Sequence, residues 1–332
     1  MSLQHEAQQY AECDLCGGRE TVPLTTGRKF GIQIEAVTCS VCGLVYQNPR
    51  MGQQQLGTFY ETVYRRLYSG SNDVPTAEFL QDQIARGGRI LDFCRPWLNN
   101  GKQVLDVGCG PGGTHVPFRE EGYTVTGIEP GPYGAWGAEN LGLNIIRATV
   151  DDLATVRVRP DLILLSFVLE HVPSPRAVLS QAYSVLLDDG LLFIEVPNLK
   201  QIRGLVETYF HVAHLTYFTP ATLTAMLRLC GFAILELRAG RSYSMSVLAR
   251  RDRQLGSNMA VDWRAVGDDP ATIRALVQRH ARITRFEFAV KDRVLSALRP
   301  GYGLMIALLG EATAKRLIGL SRTLWRKVRY GD

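Results

Sequence analysis

One stretch constrains this chain more than any other: Val104-Leu105-Asp106-Val107-Gly108-Cys109-Gly110-Pro111-Gly112-Gly113. Apolar residues carry a short strand to an acid and beyond it, and glycines follow at once. A buried parallel strand that ends in a tight loop and turns into a helix has this pattern. Gly108, Gly110 and Gly112 leave the backbone open to close approach, and N–H groups at the new helix start face whatever lies there. Gly108, Gly110 and Gly113 also fit the spacing G-x-G-x-x-G, by itself a weak signal. A nucleotide-like ligand is expected at the C-terminal end of this strand.

Asp106, two residues before the first glycine, sharpens that expectation. Acid-x-G-x-G after a strand resembles motif I of the class I S-adenosylmethionine-dependent methyltransferases. Further segments resemble the same family in the same order. Tyr123 to Ile128 reads as a second strand and ends in Glu129, an acid able to accept hydrogen bonds from both hydroxyls of a ribose. Asp161 to Val172, with Ser166 and the run Leu169-Glu170-His171-Val172, resembles the family's fourth-strand motif. Leu186-Leu187-Asp188-Asp189-Gly190, then Leu191 to Pro197, resembles its turn and fifth strand. These matches cover about residues 101–250. They imply a doubly wound, mostly parallel seven-stranded sheet (Rossmann-like) with S-adenosylmethionine as methyl donor. The donor-side residues are then Asp106, Gly108, Gly110, Gly112, Glu129, Ser166 and His171, the last at the methionine end. Asp151 and Asp152 fall where the family meets the adenine ring; the other reading of this pair is an N-cap for the next short helix. A doubly wound domain that binds some other nucleotide is the alternative.

Four of the seven cysteines form Cys13-x-x-Cys16 and Cys39-x-x-Cys42. In a reducing compartment this spacing reads as a structural zinc site, and Gly17 and Gly43 suit the turns that aim both thiolates at one ion. The competing reading is a redox-active or incidental set. Thr21 to Leu24, Ile32 to Val37 and Leu44 to Tyr46 alternate as short strands, so residues 1–50 are expected to form a zinc ribbon. Residues 51–100 are expected to be a helical linker or lid. Phe59, Tyr60, Tyr64 and Tyr68 there serve either as packing or as a cover over the ligand, and a helix is expected from Thr76 to about Leu98. Residues 101–250 form the donor-binding domain, in which Phe232 to Leu237 and Ser244 to Leu248 suit an antiparallel hairpin. Residues 251–332 are expected to be helical, with one helix from Ala271 to about Leu298 closed by Pro300-Gly301.

The net charge of +5 on 332 residues is too small for a nucleic-acid-binding composition. Its distribution is more telling. From residue 300 to 332 six Lys/Arg stand against Glu311 and Asp332. Within this tail Leu317, Ile318, Leu320, Ser321, Leu324, Trp325 and Val328 share one helical face and the basic residues the other. The tail either lies on an anionic membrane surface or docks on protein with its basic face solvated. The polar N-terminus is no signal peptide and no apolar run spans a bilayer, so the cytoplasm is the expected compartment, with the inner membrane face as a possible contact.

The second informative stretch is Phe210-His211-Val212-Ala213-His214-Leu215-Thr216-Tyr217-Phe218-Thr219-Pro220. It resembles a segment of bacterial methyltransferases that act on sugars, including C-methyltransferases of nucleotide-linked keto-sugars that carry a four-cysteine zinc module. That group uses a tyrosine and a Glu-His pair for proton chemistry. Here the matching positions are His211, Ala213 and His214, so one histidine is kept. His214 is the expected base, with His211 and Tyr217 as helpers; histidine suits proton transfer near neutral pH. The expected acceptor is a sugar, a glycan precursor or a related small polar metabolite. Two other classes compete: an RNA methyltransferase, and a non-catalytic donor-binding scaffold subunit. The first 50 residues carry Arg19, Arg28, Lys29 and Arg50 against five acids, which makes a poor phosphate clamp.

Overall fold

The computed structural model describes residues 9–29, 32–59, 74–98, 101–253 and 262–309. The chain divides into two compact units, residues 1–278 and 279–332. The first unit contains both sheets.

The N-terminal sheet is antiparallel. β1 (Thr21–Lys29) pairs with β2 (Ile32–Cys39), and β2 with β3 (Val45–Gln47). A helix, Ala77–Cys94, follows; Thr76 caps it by accepting from Phe79 N at 3.2 Å. The seven-stranded sheet then forms from β4 (Gln103–Val107), β5 (Thr124–Ile128), β6 (Asn144–Ile146), β7 (Leu162–Ser166) and β8 (Leu191–Pro197). A short β9 (Thr216–Tyr217) leaves this sheet, and β10 (Phe232–Arg238) and β11 (Ser244–Arg251) return to it. The strand order is β10-β11-β8-β7-β4-β5-β6. β4 to β8 run parallel, whereas β11 is antiparallel to β8 and β10 to β11. The hairpin expected after residue 232 is therefore present.

Alternation along each strand explains how one sheet holds two cores. Leu105, Ile163, Leu165, Leu192 and Ile194 point to one face, with Val178, Leu179 and Ala182 of the helix Pro175–Val185 in the same apolar cluster. Val104, Leu162, Leu164, Leu191 and Phe193 point to the other, with Ile90, Leu91 and Phe93 of the helix Ala77–Cys94. Parallel neighbours need crossovers, and these helices supply cover on both faces.

The N-terminal ribbon does not stand apart. Cys13, Leu15, Val37, Leu44 and Tyr46 share the first apolar cluster. Moreover, β9 pairs with β3, so the ribbon's sheet has the order β1-β2-β3-β9. Its fourth strand comes from the His/aromatic stretch some 170 residues later.

Phe59 ends a short helix, Gln53–Phe59, and is fully buried; Tyr60, Tyr64 and Tyr68 lie outside the described residues. One expectation fails. The C-terminal helix runs Pro270–Leu309, straight through Pro300-Gly301. A proline removes one backbone donor and crowds the preceding turn, which can kink a helix without ending it. The basic amphipathic tail, Leu317 to Val328, lies outside the described residues. Among the described residues no helix is long and apolar enough to cross a membrane.

Candidate active site

A cavity of about 590 Å³ opens at the C-terminal ends of β4, β5 and β7. Its floor is the glycine loop. Gly108 N and Cys109 N both donate to Ile128 O, at 2.8 and 3.2 Å, which folds the loop back over the end of β5. Gly110, at φ 58°, needs the left-handed conformation that glycine tolerates. Its N–H donates to Glu129 Oε2 at 3.0 Å, while Gly131 N donates to Oε1 at 2.9 Å. Glu129 is thus buried and aimed by two backbone donors, and it lines the cavity with Gly108 and Gly110.

Asp106 sits beneath the loop, 2% exposed. It accepts from Thr114 Oγ1, and His115 Nε2 is 3.3 Å away, so it ties the end of β4 to the start of the next helix. Gln83 accepts from Gly113 N at 3.2 Å and anchors the loop to the helix Ala77–Cys94. That helix comes very close: a Cβ on Gly87 would meet Thr114 O at 2.6 Å. Asp106 and Gly112 shape the loop from behind and are not among the described lining residues.

The acidic pair after β6 divides its work. Asp151 lines the cavity. Asp152 closes a capping box, with Thr149 N and Oγ1 both donating to its Oδ2 at 2.8 Å. Those bonds hold its carboxyl below the usual carboxylate range.

At the end of β7, Ser166 lines the cavity and donates to Glu195 Oε2 at 3.0 Å. Phe167 follows at φ 57°, a conformation that side chains other than glycine rarely adopt. Its ring lies 4.7 Å from the Arg86 guanidinium and stacks on Tyr243 at 5.9 Å and 13°. His171 also lines the cavity. Its Nδ1 donates to Ala213 O at 2.7 Å, which fixes the proton on that nitrogen in the neutral ring.

The structure brings the predicted histidines together. His214 lies edge-on to His171 at 4.9 Å between ring centroids, and 4.1 Å from His211. The Tyr217 ring is 6.1 Å from His214, and its hydroxyl accepts from His211 N at 3.1 Å. The ribbon positions this turn: Gln47 Nε2 donates to His211 O and His214 O at 2.8 and 2.5 Å, and Gln47 N donates to Leu215 O at 2.9 Å.

Glu170 is a residue that sequence reasoning passed over, although it was part of the quoted Leu-Glu-His-Val run. It is 1% exposed, 3.8 Å from His171 Nε2, and its ligand atom clusters within 4.8 Å of those of His171 and His214. Burial pushes its carboxyl up to about 8, with Glu195 adding to the shift. Arg86 and Gln47 were missed as well. Each does its work through a partner remote in sequence, which spacing does not reveal.

The four thiols of Cys13, Cys16, Cys39 and Cys42 also converge within 4.8 Å. Sulfurs of Cys13 and Cys42, and of Cys16 and Cys39, are 3.5 Å apart. Tetrahedral zinc with Zn–S near 2.3 Å asks for about 3.8 Å between sulfurs, so the set fits such an ion. Gly17 and Gly43, at φ 73° and 72°, turn the chain after each pair. Gly18 N and Val41 N point at Cys16 and Cys39 sulfur at 3.4 Å, and hydrogen bonds from Cys13 and Cys42 hold the Cys39 thiol down.

Residues 77–237 match the model of a family described as a methyltransferase domain. The C-methyltransferase NovU of Streptomyces niveus is 26% identical over 169 residues, covering 48% of this chain and 40% of that protein. The ubiquinone biosynthesis O-methyltransferase of Actinobacillus pleuropneumoniae is 35% identical over 121 residues, covering 32% and 52%. The chain thus spans about half the length of the curated relatives it matches. Among solved structures, 1,6-didemethyltoxoflavin-N1-methyltransferase of Burkholderia thailandensis aligns with TM-score 0.48 and 17% identity, covering 69% of this chain and all of that one.

Proposed function

We propose, from the methyltransferase domain that residues 77–237 match, that this chain transfers a methyl group from S-adenosylmethionine to a small polar acceptor, a sugar or glycan precursor. One observation carries the reading: a single cavity is lined by a buried, backbone-aimed carboxylate, Glu129, and by His171, against whose ring His214 packs at 4.9 Å, although His214, His211 and Tyr217 are not themselves among the described lining residues. Glu129 takes the ribose hydroxyls, Asp151 sits on the adenine side, and Gly108 and Gly110 admit the donor against the backbone. His171 shapes the methionine end.

Methyl transfer is an in-line displacement on an already activated carbon, so the protein's main contribution is alignment. The acceptor's proton goes to His214, the acceptor atom takes the methyl group, and the S–C bond breaks to leave neutral S-adenosylhomocysteine. His211 and Tyr217 fix the turn that carries His214. The four thiolates would hold one zinc ion with closed coordination, which supports the fold and leaves no place for an activated water. Supporting a sugar-type acceptor is the pairing of the four-cysteine module with the histidine stretch, the combination in which the chain resembles bacterial sugar methyltransferases. The test is release of S-adenosylhomocysteine in the presence of candidate acceptors, with an untargeted search for a metabolite that gains one methyl group. Donor binding without turnover on any acceptor would favour a scaffold role.

A further inference from the structure

Two turns bring three ligand-type side chains to one point beside the cavity. Glu170 and His171 stand on the turn Leu169–His171 after β7, and His214 on the stretch that leads into β9. One ligand atom from each, a carboxylate oxygen and two ring nitrogens, lies within 4.8 Å of the others. The protein itself fixes both turns. Leu215 N donates to Glu170 O at 2.7 Å, and Gln47 Nε2 donates to the carbonyls of His211 and His214.

Glu170 is what histidine packing leaves unexplained. Its side chain is buried, and neither carboxyl oxygen has a hydrogen-bond partner among the described residues. Burying such a group unpaired costs roughly 1–3 kcal/mol or more, so an orphan of this kind points to a partner that binds there. His171 Nε2 stands 3.8 Å from Glu170 Oε1. Because His171 Nδ1 donates its N–H to Ala213 O, Nε2 carries the lone pair of the neutral ring. A proton shared between Nε2 and the carboxyl needs a separation of about 2.7–3.0 Å. Two ligands of a tetrahedral zinc-type ion, each at about 2.1 Å, stand about 3.4 Å apart. The spacing of 3.8 Å is nearer to that of two ligands across an ion than to that of a hydrogen bond.

The surroundings agree. A metal-bound histidine ordinarily donates its other ring N–H to a carbonyl or carboxylate, as His171 does to Ala213 O at 2.7 Å. Two imidazoles and one carboxylate suit zinc and its first-row neighbours, with a coordination position left open. His171 is 15% exposed and lines the cavity, which gives an ion its way in.

We propose that Glu170, His171 and His214 form a second metal site, for a divalent transition ion of the zinc type, and that an ion there switches off the acceptor end. A neutral imidazole has one lone pair, and an ion that holds it leaves His214 nothing with which to take a proton. The site stands on its own geometry; its effect on turnover rests on the reading of His214 as the base.

Cobalt(II) tests this in the full-length protein, after one equivalent of zinc has filled the thiol set. A second metal held by nitrogen and oxygen should give visible d–d bands without the near-ultraviolet band of thiolate-bound cobalt. Glu170→Gln keeps the shape and removes the charge. It should weaken cobalt by more than about tenfold, since even the outer partners of a metal site are worth that much. An unchanged far-ultraviolet circular dichroism spectrum shows that the variant is folded; where it is not, His214→Ala should give the same weakening. With an acceptor that supports release of S-adenosylhomocysteine, turnover of the native protein should fall in step with the d–d bands. No cobalt beyond the thiol set, or equal affinity in native and Glu170→Gln protein, overturns the site and leaves the methyl-transfer reading standing. Cobalt in the site with turnover undiminished overturns the switch, and with it His214 as the base.

Discussion

At the end of the cavity assigned to the donor, Glu129 is held by Gly110 and Gly131, 19 and 2 positions away in sequence. At the end assigned to the acceptor, His211 and His214 are held by Gln47, 164 and 167 positions away. The first end is made of loops that directly follow parallel strands. The second is made of three segments, β3, the Glu170-His171 turn and β9, that meet only when the chain has folded. A donor site built this way carries its own local code. The histidine turn proposed for the acceptor side depends on the N-terminal ribbon, and through it on four thiols. Damage to the ribbon should therefore separate the two ends.

The largest effect should come from the thiols. Cys39→Ser, or removal of metal by a chelator, should unfold the ribbon, because structural zinc contributes folding free energy directly. β9 then loses its partner, and turnover should fall to background while calorimetry still shows donor binding. Joint loss of both would show that the two ends are one folding unit.

His214→Ala stays within the acceptor end. It should reduce turnover by roughly 10²–10⁴-fold, as loss of a general base does, with donor affinity nearly unchanged. Unchanged turnover would reassign the base. Glu129→Ala probes the other end in turn. It removes charge-assisted hydrogen bonds worth roughly 1.5–3 kcal/mol each, so the donor Kd should rise at least about tenfold. A Kd equal to that of the native protein would remove Glu129 from the donor site.

Gln47→Ala should act at a distance. It strips a shared donor from two backbone carbonyls, at a cost of about 1–3 kcal/mol in stability. Melting temperature and turnover should both fall, with donor Kd unchanged; a shift in donor Kd would contradict the division of the cavity.

The smallest effect concerns pH. Folded, Glu170 keeps its proton up to about pH 8, whereas the unfolded chain releases it near 4.5. The native state binds more protons inside that window, so this residue's contribution is full below about pH 4.5 and is lost as pH rises to 8. Glu170→Gln should show a shallower decline in melting temperature between pH 5 and 8. Parallel slopes for the two proteins would mean that Glu170 is not buried as an acid.

How much was legible follows the same division. The loop Gly108 to Gly113, the acid after β5, the hairpin β10–β11 and the cysteine pairs are local patterns, and the structure has them where the spacing predicts. Nothing in a linear pattern joins Val45 to Tyr217, or Gln47 to His214, because those contacts are made between strands some 170 residues apart in sequence. Glu170 was hidden in another way. It stands in a quoted motif, but its burial and its nearness to His214 depend on a turn 44 residues later. Arg86 reads as one of many surface arginines on an amphipathic helix until Phe167 is found beneath it. Pro300 is the opposite case, since a strong local stop signal sits where the helix continues to Leu309.

The central claim is that the cavity at the ends of β4, β5 and β7 takes S-adenosylmethionine. Titration of the native full-length protein with S-adenosylhomocysteine, followed by calorimetry, tests it most directly. One site per chain, weakened by Glu129→Ala and retained in Cys39→Ser, is the predicted result. Absence of binding by native protein would contradict it.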